Sequence, residues 1–269
     1  MQNPTSYPPM VLAIGGHDPG GGAGIQADIE SIVANGCHAA TAITCLTVQD
    51  TCDIDRLLPL KPEQMAAQVQ AVLSDCRVDV IKIGLLGDPR IAQTLIGLLE
   101  ENPDIPVVLD PVLATGSGSD LASNRLLAVI REGLLPRCAL ITPNSLEARR
   151  LCGTGLALDD CARSLLSHGV GSVLITGTHE ASTEVSNRLY DASGLLDESR
   201  WERLPGSYHG SGCTLAAAIS ARLALGEALP DAVRQGQRYS WESLRYGYRT
   251  GHCQSIPNRL YPLRMSHVE

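Results

Sequence analysis

Four clusters of residues have the types and spacing that chemistry needs. The first is Gly15-Gly16-His17-Asp18-Pro19-Gly20-Gly21-Gly22-Ala23-Gly24-Ile25-Gln26-Ala27-Asp28. Its glycines allow close backbone approach, and amides at the start of a following helix attract polar or anionic ligands. Gly22-x-Gly24-x-x-Ala27 also fits a dinucleotide fingerprint, although Asp18-Pro19 makes the turn long. The second cluster is Asp110-Pro111-Val112. A carboxylate at a strand end can hold Mg²⁺ or its waters; the same residues also make a plain turn. The third is Thr142-Pro143-Asn144-Ser145-Leu146-Glu147, which puts Asn144 and Glu147 together at a helix start. That spacing also suits a capping box, and the two uses are compatible in part. The fourth is Gly210-Ser211-Gly212-Cys213-Thr214. Unpaired amides there form an anion hole for charge on a transferred phosphoryl group. Cys213 is placed to take a proton from an attacking hydroxyl, or is simply a buried thiol in a glycine turn. The helix dipole favours its thiolate and a nearby phosphate opposes it, so the direction of its shift is open.

The elements that must position these clusters alternate. Val11–Ile14 reads as a buried strand, and 23–34 as a helix with Ile25, Ile29, Ile32 and Val33 on one face. Asn35-Gly36 stops it. Strands are expected at 38–46, 78–83, 106–109, 139–141 and 172–175, and helices at 62–73, 89–99 and 122–134. Late antiparallel strands are expected from Asn187 to Trp201, and mostly helix from Gly212 onward. Alternation of this kind gives parallel strands covered by helices on both faces, with ligands bound beyond the strands' carboxyl ends. The polar clusters fall at those ends. We expect a tail at 1–9 and a single domain over 10–269, with no repeat or linker.

Composition narrows the function. The 269 residues are 44% apolar, enough for a packed core, and Phe is absent, so that core must use Leu, Ile, Val and Ala. A net charge of -8 disfavours non-specific nucleic-acid binding. Nine cysteines include no C-x-x-C pair; eight are expected as small buried thiols in a reducing cytosol. Met1–Pro9 lacks a basic region followed by an apolar core, so no signal peptide is expected, and no apolar run approaches the ~20 residues of a membrane span. There is no Gly-x4-Gly-Lys-Ser/Thr, protein-kinase catalytic loop, His-Glu-x-x-His or nucleophile elbow.

The four clusters, in this order over about Val11 to Leu260, resemble the hydroxymethylpyrimidine/phosphomethylpyrimidine kinases of thiamine biosynthesis. The glycine-rich first segment and Gly-Ser-Gly-Cys-Thr carry the resemblance most specifically, joined by Ala42–Asp50. It implies an α/β fold of ribokinase-like three-layer α/β/α form with a mostly parallel central sheet. It implies transfer of the ATP γ-phosphate, with Mg²⁺, to 4-amino-5-hydroxymethyl-2-methylpyrimidine and then to its monophosphate. It further implies a homodimer with the pyrimidine and ATP as its ligands, while the composition leads us to expect a cytoplasmic protein that binds neither nucleic acid nor membrane. By matching motif, Gly16, Asp28, Gln49, Leu85 and Val112 would line the pyrimidine pocket, with Asp28 and Gln49 reading the ring nitrogen and exocyclic amine. Asp110 and Glu147 would serve the metal, and Asn144, Thr176 and Gly177 the ATP. Gly210, Ser211 and Gly212 would form the anion hole, with Cys213 the catalytic base. Two departures remove positive charge: many members carry Lys shortly after Asp-Pro-Val, where this chain has Leu113–Gly118, and Lys-Gly-Gly-His where it has Thr176-Gly177-Thr178-His179.

A pyridoxal or pyridoxine kinase of the same superfamily is the runner-up, since its substrate is another flat ring with a hydroxymethyl arm. A Rossmann dehydrogenase would rest on Gly22–Ala27 alone and leave Gly210–Thr214 without a use. A non-catalytic sensor of the pyrimidine would not need Cys213.

Overall fold

The computed structural model describes residues 7–115, 118–153 and 155–265. Its elements run β1 (Met10–His17), α1 (Gly24–Ala34), β2 (His38–Gln49), β3 (Ile54–Pro59), α2 (Pro62–Asp75), β4 (Val80–Ile83), α3 (Pro89–Glu100) and β5 (Val107–Leu109). They continue α4 (Asn124–Val129), β6 (Leu140–Ile141), α5 (Ser145–Cys152), α6 (Leu158–Ser167), β7 (Ser172–Thr176), β8 (Glu184–Asp191), β9 (Gly194–Glu202), α7 (Ser211–Ala224), α8 (Leu229–Arg245) and α9 (Tyr261–Met265).

The strands form one sheet in the order β3-β2-β1-β4-β5-β6-β7-β8-β9. From β2 to β7 neighbours are parallel; β3, β8 and β9 add antiparallel edges. Period-two alternation sorts the strand side chains into two cores. Leu12, Ile14, Ile81, Ile83 and Leu109 face α2 to α6, while Val11, Ala13, Val80, Val108 and Leu174 face α1, α7 and α8. Helices therefore cover both faces, as the alternation requires. The chain leaves β1 toward β2 on one side and returns to β4 on the other. That reversal opens a crevice at the strands' carboxyl ends.

Several local expectations are corrected. On α1, Ile29 and Val33 are exposed; the buried face is Ile25, Ala27, Asp28, Ser31 and Ile32. A charged residue occupies core space that the apolar pattern assigned to isoleucine and valine. The helix expected over 122–134 ends as an α-helix at Val129, then continues as one π-helical turn and a short 3₁₀ turn. Pro136 lies in that last turn and cannot donate a helix hydrogen bond. β3 was not expected at all: it is an edge strand in which Asp55, Arg56, Leu58 and Pro59 are exposed.

The cysteines also differ. Cys37, Cys45, Cys138 and Cys161 are buried thiols, but Cys76 and Cys152 are only partly covered. Cys52 and Cys253 form a disulfide. Thr51 O accepts from Gln254 N at 3.1 Å and Thr51 Oγ1 from Cys253 N at 3.3 Å, which brings the two segments into disulfide reach. Among the described residues no helix is long and apolar enough to cross a membrane.

Candidate active site

A cavity of about 510 Å³ opens at the carboxyl ends of the strands. Gly16, Asp28, Gln49, Leu85, Asp110, Val112, Asn144, Glu147, Thr176, Gly210, Ser211, Gly212 and Cys213 all line it. Of the residues picked from the sequence, Gly177 does not. Its amide donates to Asn187 Oδ1 at 3.1 Å, and its α-carbon packs against the Ser186 carbonyl, so it serves the β7–β8 contact instead.

Gly210 caps α7 with φ +81, and any side chain there would strike the Gly22 carbonyl. Cys213 follows in the first turn of α7. The Gly24 amide, at the start of α1, favours the charged form of its sulfur. Gly24 itself has φ +61 because the Gly16 carbonyl lies against it. Two helix starts thus converge on one thiol.

A charge cluster forms the floor. Lys82 Nζ donates to Asp28 Oδ1 at 2.8 Å and Oδ2 at 3.0 Å, and lies 4.0 Å from Asp110 Oδ2. Burial opposes the charge on Lys82, but Asp28, Cys213 and Asp110 outweigh it and push its pKa up. Burial raises Asp110, and Lys82 offsets this only in part. Burial also drives Cys213 up to about 12, with Lys82 and the Gly24 amide pulling down and Asp110 and Asp28 pushing up. The dipole argument for a ready thiolate therefore loses to burial: in the free protein Cys213 is a thiol at neutral pH. Asp28, expected to read the ring, has both oxygens engaged by Lys82.

Asn144 and Glu147 form the capping box. Asn144 Oδ1 accepts from Leu146 N and Glu147 N at 2.9 Å, and Glu147 Oε2 accepts from Asn144 N at 2.9 Å. Burial, then the charge of Asp110, raises Glu147 to about 8. The donor set suits Mg²⁺: Asp110 Oδ2 is a buried carboxylate oxygen without a hydrogen-bond partner, and Glu147 feels its charge. Mg²⁺ commonly uses one or two carboxylates with waters and substrate phosphates, and among the described residues no group of three metal-ligating side chains exists.

The glycine-rich loop is organised by Asp18. Its oxygens accept from Gly20 N at 2.7 Å and Ala23 N at 2.8 Å, and Oδ2 lies 2.9 Å from His209 Nε2. Burial would raise this carboxyl, but hydrogen bonds from His209, Gln49 and the Ala23 amide prevail and hold it at about 2. The bond to Ala23 N takes up one of the amides inside the Gly22–Ala27 match, so that amide is not free for a pyrophosphate.

Sequence reasoning missed Asp18, His209 and Lys82 as parts of the site. Lys82 carried a usable signal, being the one charge in the buried strand Val80–Ile83. On the side of the sheet edge formed by β8 and β9, Val185, Trp201 and Arg203, with Trp241 and Leu244 of α8, also line the cavity. The Trp201 and Trp241 rings lie 6.0 Å apart, and Arg203 donates to the carbonyls of Thr178, Glu180 and Ser182.

Residues 18–258 match the family model described as phosphomethylpyrimidine kinase. The hydroxymethylpyrimidine/phosphomethylpyrimidine kinase of Mycobacterium tuberculosis is 38% identical over 267 residues, covering 97% of each chain. The thiamine biosynthesis bifunctional protein ThiED of Geobacter sulfurreducens is 34% identical over 93% of this chain and 52% of its own length. Among solved structures, an ADP complex of Bacillus subtilis pyridoxal kinase superposes with a TM-score of 0.88 at 26% identity, over 96% of this chain and 100% of that one.

Proposed function

The chain belongs to the phosphomethylpyrimidine kinase family, and from that premise we propose that it transfers the ATP γ-phosphoryl group to 4-amino-5-hydroxymethyl-2-methylpyrimidine, then to the resulting monophosphate, in thiamine biosynthesis. The observation that carries this reading is the convergence of Cys213, the start of α7, Asp110 and Gln49 on one cavity. Gly16, Leu85 and Val112 flank the flat ring. Asp18 holds the amide N–H of Gln49, which turns the Gln49 carbonyl into the acceptor for the exocyclic amine. Asp28 acts through Lys82, keeping that cation on the cavity floor.

The Ser211 and Gly212 amides meet the charge that builds on the transferring group. Cys213 acts from its thiolate form: its own proton must first leave to solvent, Lys82 and the Gly24 amide favour the anion so formed, and the thiolate then accepts the proton of the attacking hydroxyl. Asp110 and Glu147 would hold Mg²⁺, which supplies charge neutralisation on the phosphates. Asn144 and Thr176, bridged at the ends of β6 and β7, face the phosphate chain. The Trp201–Trp241 end takes the nucleotide base.

A homodimer is part of this reading, supported by the exposed Leu46, Val48 and Leu58 on one face of β2 and β3. A single domain over 10–269 is supported by the continuous sheet. A cytoplasmic setting is supported by seven free cysteines among the described residues, with Cys52–Cys253 as the exception. Pyridoxal is the weaker substrate assignment, because identity to the pyridoxal kinase is 26% against 38% to the pyrimidine kinase. A coupled ADP-release assay with Mg-ATP tests the reading. Turnover of the pyrimidine and its monophosphate is expected; turnover of pyridoxal alone would overturn the assignment.

A further inference from the structure

Arg259 is nearly inaccessible to solvent and belongs to no motif. A guanidinium in the interior needs partners for its charge and its fixed fork of donors. Arg259 finds them in two segments more than a hundred residues apart in sequence. Nε donates to Thr214 Oγ1 at 2.8 Å, one residue beyond Cys213. Nη1 donates to Glu30 Oε2 at 3.0 Å and to the Gly21 carbonyl at 3.3 Å; Nη2 donates to the Gly22 carbonyl. Its own backbone is anchored to α8, since Tyr239 Oη donates to the Arg259 carbonyl at 2.7 Å and Asn258 N donates to Ser243 O at 2.8 Å.

The partners form a closed circuit. Thr214 Oγ1 donates onward to the Gly210 carbonyl at 2.8 Å. Gly210 in turn has no room for a side chain, because the Gly22 carbonyl and Arg259 Nη2 press on its α-carbon. The planar fork therefore sets the distance between the Gly21-Gly22 turn, which delivers the Gly24 amide, and the first turn of α7, which delivers Cys213. Lysine cannot reproduce this: its donors radiate from a single nitrogen. A hydrophobic residue of similar length would fill the volume and leave the two carbonyls and the threonine unconnected.

We propose that Arg259 is a positioning residue for phosphoryl transfer, holding the start of α1 and the start of α7 in register around Cys213. The proposal rests on the functional reading above. It assigns to Arg259 an effect on kcat rather than on ligand affinity, because its contacts run to the framework of the reacting end. Misplacing reacting groups by about 1 Å can cost ~10²-fold in rate.

The test is steady-state kinetics on the pyrimidine with Mg-ATP, alongside thermal melting, for wild type, Arg259→Met, Arg259→Lys and Thr214→Val. Arg259→Met is expected to lower kcat by about 10- to 100-fold, with both KM values within about twofold. Arg259→Lys should recover part of kcat, and Thr214→Val should lose about tenfold. Thr214→Val decides the matter if Arg259→Met does not fold. A fall in melting temperature with kcat unchanged per folded molecule, in either Arg259→Met or Thr214→Val, would make Arg259 a stability residue and overturn the proposal. Wild type inactive on both pyrimidines, by contrast, would remove the functional reading itself and the proposal with it.

Discussion

At the α7 end of the cavity, short side chains and bare backbone are pinned by buried charge. Gly210 and Gly24 sit where no β-carbon fits, and Lys82, Asp28 and Asp110 lie within one cluster beneath Cys213. At the β7–β9 end, large side chains line the cavity. Trp201 donates to Gln237, Trp241 to the Glu202 carbonyl, and Arg203 ties the 178–182 loop to the edge of the sheet. The contrast separates two tasks. Transfer needs groups fixed to a fraction of an ångström, whereas holding a nucleotide base needs only a flat apolar surface and a few polar contacts. Substitutions at the first end should therefore act on rate, and those at the second on nucleotide affinity.

Cys213→Ala is the harshest test of that division. We expect kcat to fall by about 10²–10⁴-fold, as for loss of a general base, with KM for ATP unchanged in steady-state assays. An unchanged kcat would remove Cys213 from proton transfer. Gln49→Ala should raise KM for the pyrimidine by about tenfold, the worth of one hydrogen bond of ~1.4 kcal/mol. A selective rise in KM for ATP instead would put Gln49 at the wrong end.

Trp241→Ala should raise KM for ATP by roughly twofold to tenfold, corresponding to the ~0.5–1.5 kcal/mol of an aromatic contact, and leave the pyrimidine KM alone. Equal rises in both would dissolve the distinction between the ends. The smallest effect concerns Asp18. Its carboxyl is held at about 2, below the ordinary 3.8, so its stabilisation is fully present above the ordinary value and is lost as pH falls through about 2. Melting curves from pH 5 down to pH 2 should fall more steeply for wild type than for Asp18→Asn; parallel slopes would contradict the hydrogen bonds assigned to Asp18.

The same division governs what could be read in the sequence. The reacting end is built from contiguous motifs, because a glycine turn followed by a helix start leaves its signature in neighbouring residues. The strand alternation was equally legible, since each strand's apolar run reports its own burial. What escaped notice acts across the chain. Lys82 meets Asp28 from 54 residues away, and Arg259 meets Gly22 from 237. Helical spacing misjudged Ile29 and Val33 because Asp28 turned inward to Lys82, which no local pattern encodes. The substitution of Leu113–Gly118 for the family's lysine-bearing segment includes Gly116 and Ser117, which lie outside the described residues.

One cavity is expected to perform two successive phosphoryl transfers to a single pyrimidine. Mass spectrometry of the product after exhaustive reaction of 4-amino-5-hydroxymethyl-2-methylpyrimidine with excess Mg-ATP tests it directly. The expected product is the diphosphate, carrying two added phosphoryl groups. Recovery of unmodified pyrimidine, or of the monophosphate alone, would contradict it.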